Sequence, residues 1–160
     1  MDVAKARYVA REAIAGSVLQ IAYMGIKRFS PGGPRTPLIE DIEAAILGKK
    51  GKVRRYPQAF RIGRLLGDLP IGVVVYAGRN QYNHQDATRL DPSNELVFNY
   101  LDWLYRDQYK NNISFDLYDP KAFNYAFSIL AALQWLPSHR TPNPYERYDR
   151  DMRDMLRGHG

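Results

Sequence analysis

At four places along the chain a helix-capping side chain stands directly before a proline and a segment of helical spacing, and this repeated pattern limits the fold more than any other feature. A capping side chain accepts hydrogen bonds from the free N–H groups of a first helical turn, and proline is well tolerated at the first helical position. Each pair therefore predicts the start of a new helix. The pairs are Thr36-Pro37, Asp91-Pro92, Asp119-Pro120 and Asn143-Pro144.

Apolar residues in the segments after these starts recur at steps of three and four, which is the period of one helical face. The first segment, residues 2–29, has the same period and ends at the breaker Ser30-Pro31-Gly32-Gly33-Pro34. Alanines on its other faces indicate a central helix wrapped by its neighbours. The stripe that we expect to form its main apolar face consists of Ile14, Val18, Ile21, Gly25 and Phe29.

The middle of the chain gives mixed signals. Residues 57–69 have the spacing of a short helix that Pro70 would end or kink. The run Ile71–Tyr76 is β-branched and would pass as a buried strand, but the sequence offers no companion strand of similar strength. We therefore predict a helix from residue 71 to about Asp86, and a short extended piece at Ile113–Tyr118.

The length of 160 residues, or 18.4 kDa, is that of one domain. We expect an all-α fold, a compact bundle of about six or seven helices over residues 1–160, with a charged C-terminal helix at about residues 144–157. The longest apolar run, Ala13–Ile26, is too short to span a bilayer and fails as a signal peptide. We therefore expect a cytoplasmic protein with no membrane partner.

The formal net charge is +6 and the sequence pI is about 9.5, so a polyanion such as RNA is a fitting partner. Positive residues are densest after the second helical segment, where they can track a phosphate backbone or form a solvated loop. Cysteine is absent and the three histidines are far apart, so we expect no metal site and no cofactor. The candidate nucleic-acid-binding residues are Lys49, Lys50, Lys52, Arg54, Arg55, Arg61 and Arg64.

The candidate catalytic residues are Arg79 and His84, which stand five positions apart in one helical segment. Side chains at this spacing diverge modestly and can reach one cleft. An imidazole can move a proton near neutral pH, and a guanidinium can grip phosphate oxygens and stabilise added negative charge. The pair suits cleavage of RNA by its own 2′-hydroxyl without a metal ion. Asn80 and Asn83 would position the phosphate or base, and Asp86 would orient the imidazole.

An arginine followed directly by asparagine, with a histidine after four intervening residues, resembles the motif of the HEPN family. Arg79, Asn80 and His84 match it. The resemblance implies a small all-helical domain, catalytic roles for Arg79 and His84, and a homodimer in which both copies of the motif line one cleft. It also implies metal-independent RNA cleavage in a toxin, antiphage or RNA-processing role.

Other interpretations of this segment stay open. Arg79 and His84 can instead end a helix, tied to nearby acids such as Asp86, with His84 capping carbonyls or facing solvent. The chain would then be a non-enzymatic helical adaptor that binds a protein or nucleic acid, or an assembly subunit. Aromatic rows at helical spacing, including Trp103 and Phe127, fit a core or a dimer contact better than a platform for stacked bases.

Overall fold

A computed structural model describes residues 2–50, 56–84, 90–106, 113, 115, 125–138 and 141–157, with the backbone alone described over 45–50. The described part is mostly helical, as the sequence predicts, and no helix in it has both the length and the hydropathy to cross a bilayer. Its helices are α1 (Val3–Phe29), α2 (Pro37–Lys50), α3 (Ile71–Asn83), α4 (Pro92–Tyr105), α5 (Ala126–Ala132) and α6 (Pro144–Arg157). A 3-10 turn at Gln58–Phe60 and the antiparallel strands β1 (Leu65–Leu66) and β2 (Leu69–Pro70) complete it.

Three of the predicted helix starts lie within these ranges, and they are confirmed. Asp91 accepts a hydrogen bond from the first turn of α4 at 3.0 Å, and Thr36 accepts one from the first turn of α2 at 3.3 Å. At the start of α6, the Asn143 side chain accepts from the N–H of Glu146 at 3.4 Å. The pair at 119–120 and most of the predicted extended piece at 113–118 lie outside the described residues.

The predicted helix over residues 57–69 is wrong, because the chain forms a 3-10 turn and then the β1–β2 hairpin there. Two glycines provide the reason. Gly63 and Gly67 have φ angles of +94° and +58°, and a right-handed helix cannot contain such residues. Gly67 lies in the turn that pairs Leu66 with Leu69. Leucines that share a helical spacing in the sequence are therefore divided between two short strands.

The β-branched run at residues 71–76 is helical, as predicted, and begins α3. Val73, Val74 and Val75 are all fully buried, so the first turns of α3 have core on almost every side. This burial accounts for an apolar run that resembles a strand. α3 contacts α1, α4 and α5. Its central position fixes the place of residues 79–84 at its C-terminal end.

α1 is the longest helix, and the prediction of its buried face is wrong. Ile14 and Ile21 of the predicted face are 67% and 64% exposed. A second stripe of α1 faces the interior of the bundle instead, and its small residues let α3, α5 and α6 approach closely. α1 therefore keeps one apolar stripe outside the bundle. The residues that it buries are Glu12, Ala15, Gly16, Leu19, Ala22, Tyr23 and Ile26.

Candidate active site

The C-terminal half of α3 runs antiparallel to the middle of α1 and lies close against it. The Tyr82 ring lies directly on Gly16, and Arg79, one turn earlier in α3, meets Gln20, one turn later in α1. A Cβ atom at Gly16 would overlap the Tyr82 ring, so this approach requires glycine. The contact fixes the backbone that carries the candidate catalytic residues.

The Arg79 side chain is held by uncharged groups of α1 and α3. Its Nε donates to Gln20 Oε1 at 3.0 Å, and its guanidinium carbon lies 4.5 Å from the centre of the Tyr23 ring. Nη1 donates to Asn80 Oδ1 at 3.3 Å. With the amide oriented by the hydrogen-bond network, the Asn83 oxygen accepts from Nη2 at 2.9 Å. The structure thus brings both motif asparagines onto Arg79.

Arg79 is half-buried, and among the described residues its charge has no carboxylate partner. Lys27 shares the Tyr23 ring, with its Nζ 5.9 Å from the ring centre, and it too forms no ion pair within the described ranges. A guanidinium has five N–H donors, so two remain after one bond to each of the three neutral acceptors. The site can therefore receive an anion such as phosphate.

His84 ends α3, and its side chain is exposed. Its backbone leaves the helical region, with φ −120° and ψ 30°, and its N–H donates to the carbonyl of Gln81 at 3.1 Å. Within the part of the chain that the structure describes, no hydrogen bond joins the imidazole to Arg79. The two groups are therefore five positions apart at the end of α3, and their side chains make no described contact with each other. Asp86 lies outside the described residues.

Two of the candidate nucleic-acid-binding arginines have partners inside the protein. Arg61 donates to the carbonyl of Tyr56 at 2.7 and 3.1 Å, and Arg64 donates to both carboxylate oxygens of Asp151. Both guanidiniums thus have structural roles, and phosphate tracking by the basic connector stays a prediction. The other five candidates have side chains outside the described part of the chain, and they are Lys49, Lys50, Lys52, Arg54 and Arg55.

Glu12 is a buried carboxylate on α1, one turn before Gly16. One of its oxygens accepts from the N–H of Phe127 at 3.1 Å, and the other lies 3.4 Å from Nη2 of Arg11. Burial raises the pKa of Glu12, and the hydrogen bond from Phe127 and the charge of Arg11 offset part of the rise. The bond to Phe127 joins α1 to α5, so the Glu12 carboxylate has a structural role.

The sequence reasoning missed the α1 residues that build the site. Gln20 and Tyr23 orient the guanidinium, and Gly16 lets α3 approach. One signal exists, because Gln20 interrupts an apolar run and a polar side chain in such a place needs a hydrogen-bond partner. Local spacing cannot show that this partner lies 59 positions away.

Among the described residues, no group of three or more His, Asp or Glu side chains is placed to hold a metal ion. Comparisons with protein-family models, with curated proteins and with solved structures find no match to this chain.

Proposed function

We propose that this chain is a HEPN-like endoribonuclease that cleaves RNA without a metal ion, with Arg79 and His84 as its catalytic residues. The observation that supports this is the Arg79 guanidinium, which neutral groups orient and which no carboxylate neutralises among the described residues. Proteins ordinarily pair a charge that they bury. A guanidinium that is oriented and uncompensated fits a negatively charged substrate.

In the proposed reaction, the 2′-oxygen of one nucleotide attacks the adjacent phosphorus, and the bond from phosphorus to the 5′-oxygen breaks. His84 accepts the proton of the 2′-hydroxyl, and the 5′-oxygen leaves with a proton from water. The products are a 2′,3′-cyclic phosphate and a 5′-hydroxyl. Arg79 stabilises the negative charge that builds up on the phosphate oxygens. DNA lacks the 2′-hydroxyl and would stay uncut.

The neighbouring residues would act on the RNA either by orienting Arg79 or through their own positive charge. Asn80 and Asn83 act through Arg79, because both bond its guanidinium. Lys27, over the same tyrosine ring, adds a second cation to the path of the RNA. We also propose the basic connector at residues 49–55 as an RNA contact, so binding should weaken as salt is added.

The test is cleavage of single-stranded RNA in EDTA by the wild-type protein, Arg79→Ala and His84→Ala. We expect the wild type to produce cyclic-phosphate ends and each variant to lose at least about 100-fold in rate. The matched control is Arg153→Ala, which removes the same charge from an exposed ion pair with Asp149 and should cleave like the wild type. Equal cleavage by all of these proteins would contradict the proposal.

A non-enzymatic role is the second candidate, and the exposed apolar stripe of α1 is the observation that favours it. An adaptor or assembly subunit would use such a stripe to bind a protein. In a gel-shift experiment such a protein would bind RNA in a salt-dependent way or not at all, and it would leave the RNA uncut. A stable assembly with no cleavage across a panel of RNAs would favour this candidate.

A further inference from the structure

The face of α1 that orients Arg79 continues along the helix to a second cation. Gln20, Tyr23 and Lys27 recur at steps of three and four, which places them in one row. Gln20 and Tyr23 contact Arg79, and the ammonium nitrogen of Lys27 lies 5.9 Å from the centre of the Tyr23 ring. The row therefore connects the candidate active site to Lys27.

The two cations converge on the open face of the Tyr23 ring. Phe60 is buried and stacks on the other face, with the two ring centres 4.9 Å apart. The guanidinium carbon of Arg79 lies 4.5 Å from the centre of the Tyr23 ring, and Lys27 is exposed, so both cations lie on the side away from Phe60. Their distances from one ring centre limit the separation of the two charges to at most about 10 Å. Neighbouring phosphates of one strand fit within this span.

Neither cation has a carboxylate partner in the part of the chain that the structure describes. Like charges that share one ring repel each other, and the ring offsets this only in part. The C-terminal end of α1 already has a cation that favours the helix dipole, because Arg28 lies in the same turn as Lys27. The convergence of Lys27 and Arg79 therefore fits two negative groups of a ligand better than a role in the fold.

The order of the charged groups along the two helices follows from their antiparallel packing, in which Arg79 of α3 lies opposite Gln20 of α1. His84 comes five positions after Arg79, about 7.5 Å further along α3 and so towards the N-terminal end of α1. Lys27 comes seven positions after Gln20, towards the C-terminal end of α1. The order is therefore His84, Arg79 and Lys27.

We propose that Lys27 binds the phosphate on the 3′ side of the one that Arg79 holds, so that the RNA strand runs 5′ to 3′ from His84 past Arg79 to Lys27. This inference rests on the proposed function, because it takes Arg79 and His84 as the catalytic residues. It goes further by assigning Lys27 to one defined phosphate and by giving the bound strand a direction. Lys27 is thus a specificity-determining residue that binds the RNA outside the cleaved bond.

The geometry of the cleavage step selects this direction. The attacking 2′-oxygen and the leaving 5′-oxygen lie on opposite sides of the phosphorus. His84 accepts the proton of the 2′-hydroxyl, so it lies at the nucleotide on the 5′ side of the cleaved bond. The leaving oxygen carries the next nucleotide away from His84, towards the side where Lys27 lies. The phosphate after that nucleotide therefore meets the ammonium group.

A pair of matched substrates tests the assignment. Each is a short single-stranded RNA in which every 2′-hydroxyl except a central one is methylated, so that only one phosphate can be cleaved. In one strand the phosphate on the 3′ side of the cleavable one is replaced by a neutral methylphosphonate, and in the other strand the phosphate on the 5′ side is replaced. With one base at every position, the two strands have the same length and charge and differ only in the place of the neutral linkage.

The measured quantity is the kcat/KM of the strand with the 5′-side neutral linkage divided by that of the strand with the 3′-side neutral linkage. We expect a ratio of about ten for the wild type, because a charge-assisted contact with one phosphate ordinarily contributes this much. Lys27→Ala should lower the ratio to about one, and Lys27→Arg should keep most of it. A general loss of activity or stability cancels in this ratio, so a purely structural role of Lys27 would leave the ratio unchanged.

Arg28→Ala is the matched control. It removes the same charge from the next position of α1, but position 28 lies about 100° further around the helix. We expect this variant to keep the wild-type ratio. Added salt should lower the ratio of the wild type towards one, because Lys27 is exposed and its attraction to phosphate is screened.

The outcomes separate this inference from the ribonuclease proposal. A wild type that cleaves both strands with a ratio of one or less would overturn the assignment of Lys27 and leave the ribonuclease proposal standing. The same conclusion would follow if Lys27→Ala kept the wild-type ratio, or if Arg28→Ala lowered it equally. No cleavage in EDTA, either of the unmodified strand or of varied RNAs, would overturn the ribonuclease proposal and the strand direction together.

Discussion

Arg64 and Arg79 are both partly buried arginines, but their partners differ in charge. Arg64 donates to the two oxygens of Asp151 at 3.0–3.2 Å and to the carbonyl of Leu133 at 2.6 Å. The same carboxylate accepts from Nε1 of Trp135 at 2.9 Å. Arg79 contacts only neutral groups among the described residues, and its Nε donates to the amide of Gln20.

This difference separates an arginine that holds the fold together from one whose charge the described residues leave without a carboxylate, and which we propose binds a ligand. The Arg64–Asp151 pair ties the hairpin region to α6, and it gives Arg64 a carboxylate partner, which Arg147 of α6 shares at 3.6 Å. Around Arg79 the neutral partners fix the orientation of the guanidinium and leave its charge in place. Breaking the first cluster should therefore lower stability, while changing the second should lower activity.

Asp151→Asn should have the largest effect. The amide keeps the shape of the carboxylate but leaves Arg64 without a counter-ion, which should lower the free energy of unfolding by about 3–5 kcal/mol. Urea denaturation followed by circular dichroism measures this. Asp149→Asn is the control, because its exposed pair with Arg153 should contribute less than about 1 kcal/mol. Equal losses in both variants would contradict an anchoring role for Asp151.

Arg79→Lys tests the other cluster, because it keeps the charge and removes the planar fork. A lysine has three N–H donors on one atom, so it cannot keep the bonds to Gln20, Asn80 and Asn83 and also bind a phosphate, and cleavage should fall about 100-fold, or about 2.7 kcal/mol. The free energy of unfolding should change by less than about 1 kcal/mol. Cleavage in EDTA and urea denaturation are measured on one preparation. Unchanged cleavage with a large loss of stability would place Arg79 in the same structural class as Arg64.

Much of the helical fold could be predicted from the sequence, because caps, prolines and apolar spacing are local signals. The hairpin at residues 65–70 could not, since its leucines also fit a helix and only Gly63 and Gly67 indicate turns. The buried face of α1 was ambiguous for a different reason. Two stripes of α1 satisfy the same period, and only packing against α3, α5 and α6 selects between them.

The contrast between the two arginines was beyond sequence reasoning. Arg64 meets Asp151 across 87 positions, and Arg79 meets Gln20 across 59. Local spacing grouped Arg64 with the basic cluster and Arg79 with the motif. Whether a charge is neutralised depends on neighbours in space, and a single sequence does not contain that information.

Gly16→Ala should have the next largest effect and tests how tightly the Arg79 cluster is built. The added methyl group would overlap the Tyr82 ring, so this ring or the end of α3 that carries it must move. We expect a loss of about 1–3 kcal/mol in the free energy of unfolding, with slower cleavage. Gly25→Ala is the control on the same helix, because its methyl group would meet only the flexible end of Met152 at 3.2 Å and a methyl group of Leu156 at an ordinary contact distance of 3.9 Å. Equal stability of the two variants would contradict this view of the contact.

Gln20→Glu should make the surroundings of Arg79 resemble those of Arg64. The new carboxylate would pair with Arg79 and neutralise the charge that we assign to phosphate, so cleavage should fall about tenfold, or about 1.4 kcal/mol. Stability should be unchanged or slightly higher. Gln134→Glu makes the same charge change at an exposed position and should cleave like the wild type. Equal cleavage rates in both variants would mean that cleavage does not depend on an uncompensated charge at Arg79.

Glu12→Gln should have the smallest effect. It concerns a buried acid instead of a buried arginine, and the partners of Glu12 offset only part of the cost of burying its charge. Burial raises the pKa of Glu12 above its usual value of 4.5, so the folded protein holds this proton more tightly than the unfolded chain. The contribution of Glu12 to stability is therefore full below about pH 4.5 and is lost as the pH rises through the folded-state pKa. Glutamine still accepts from the N–H of Phe127 but cannot ionise.

Relative to the wild type, Glu12→Gln should thus gain free energy of unfolding as the pH is raised from about 4 to about 7. Urea denaturation at both pH values measures this gain. Glu40→Gln removes an exposed acid of α2 and should show a smaller change with pH. A gain at Glu12 that stays constant or reverses would contradict the raised pKa, and would mean that Arg11 and the N–H of Phe127 compensate this carboxylate as fully as Asp151 compensates Arg64.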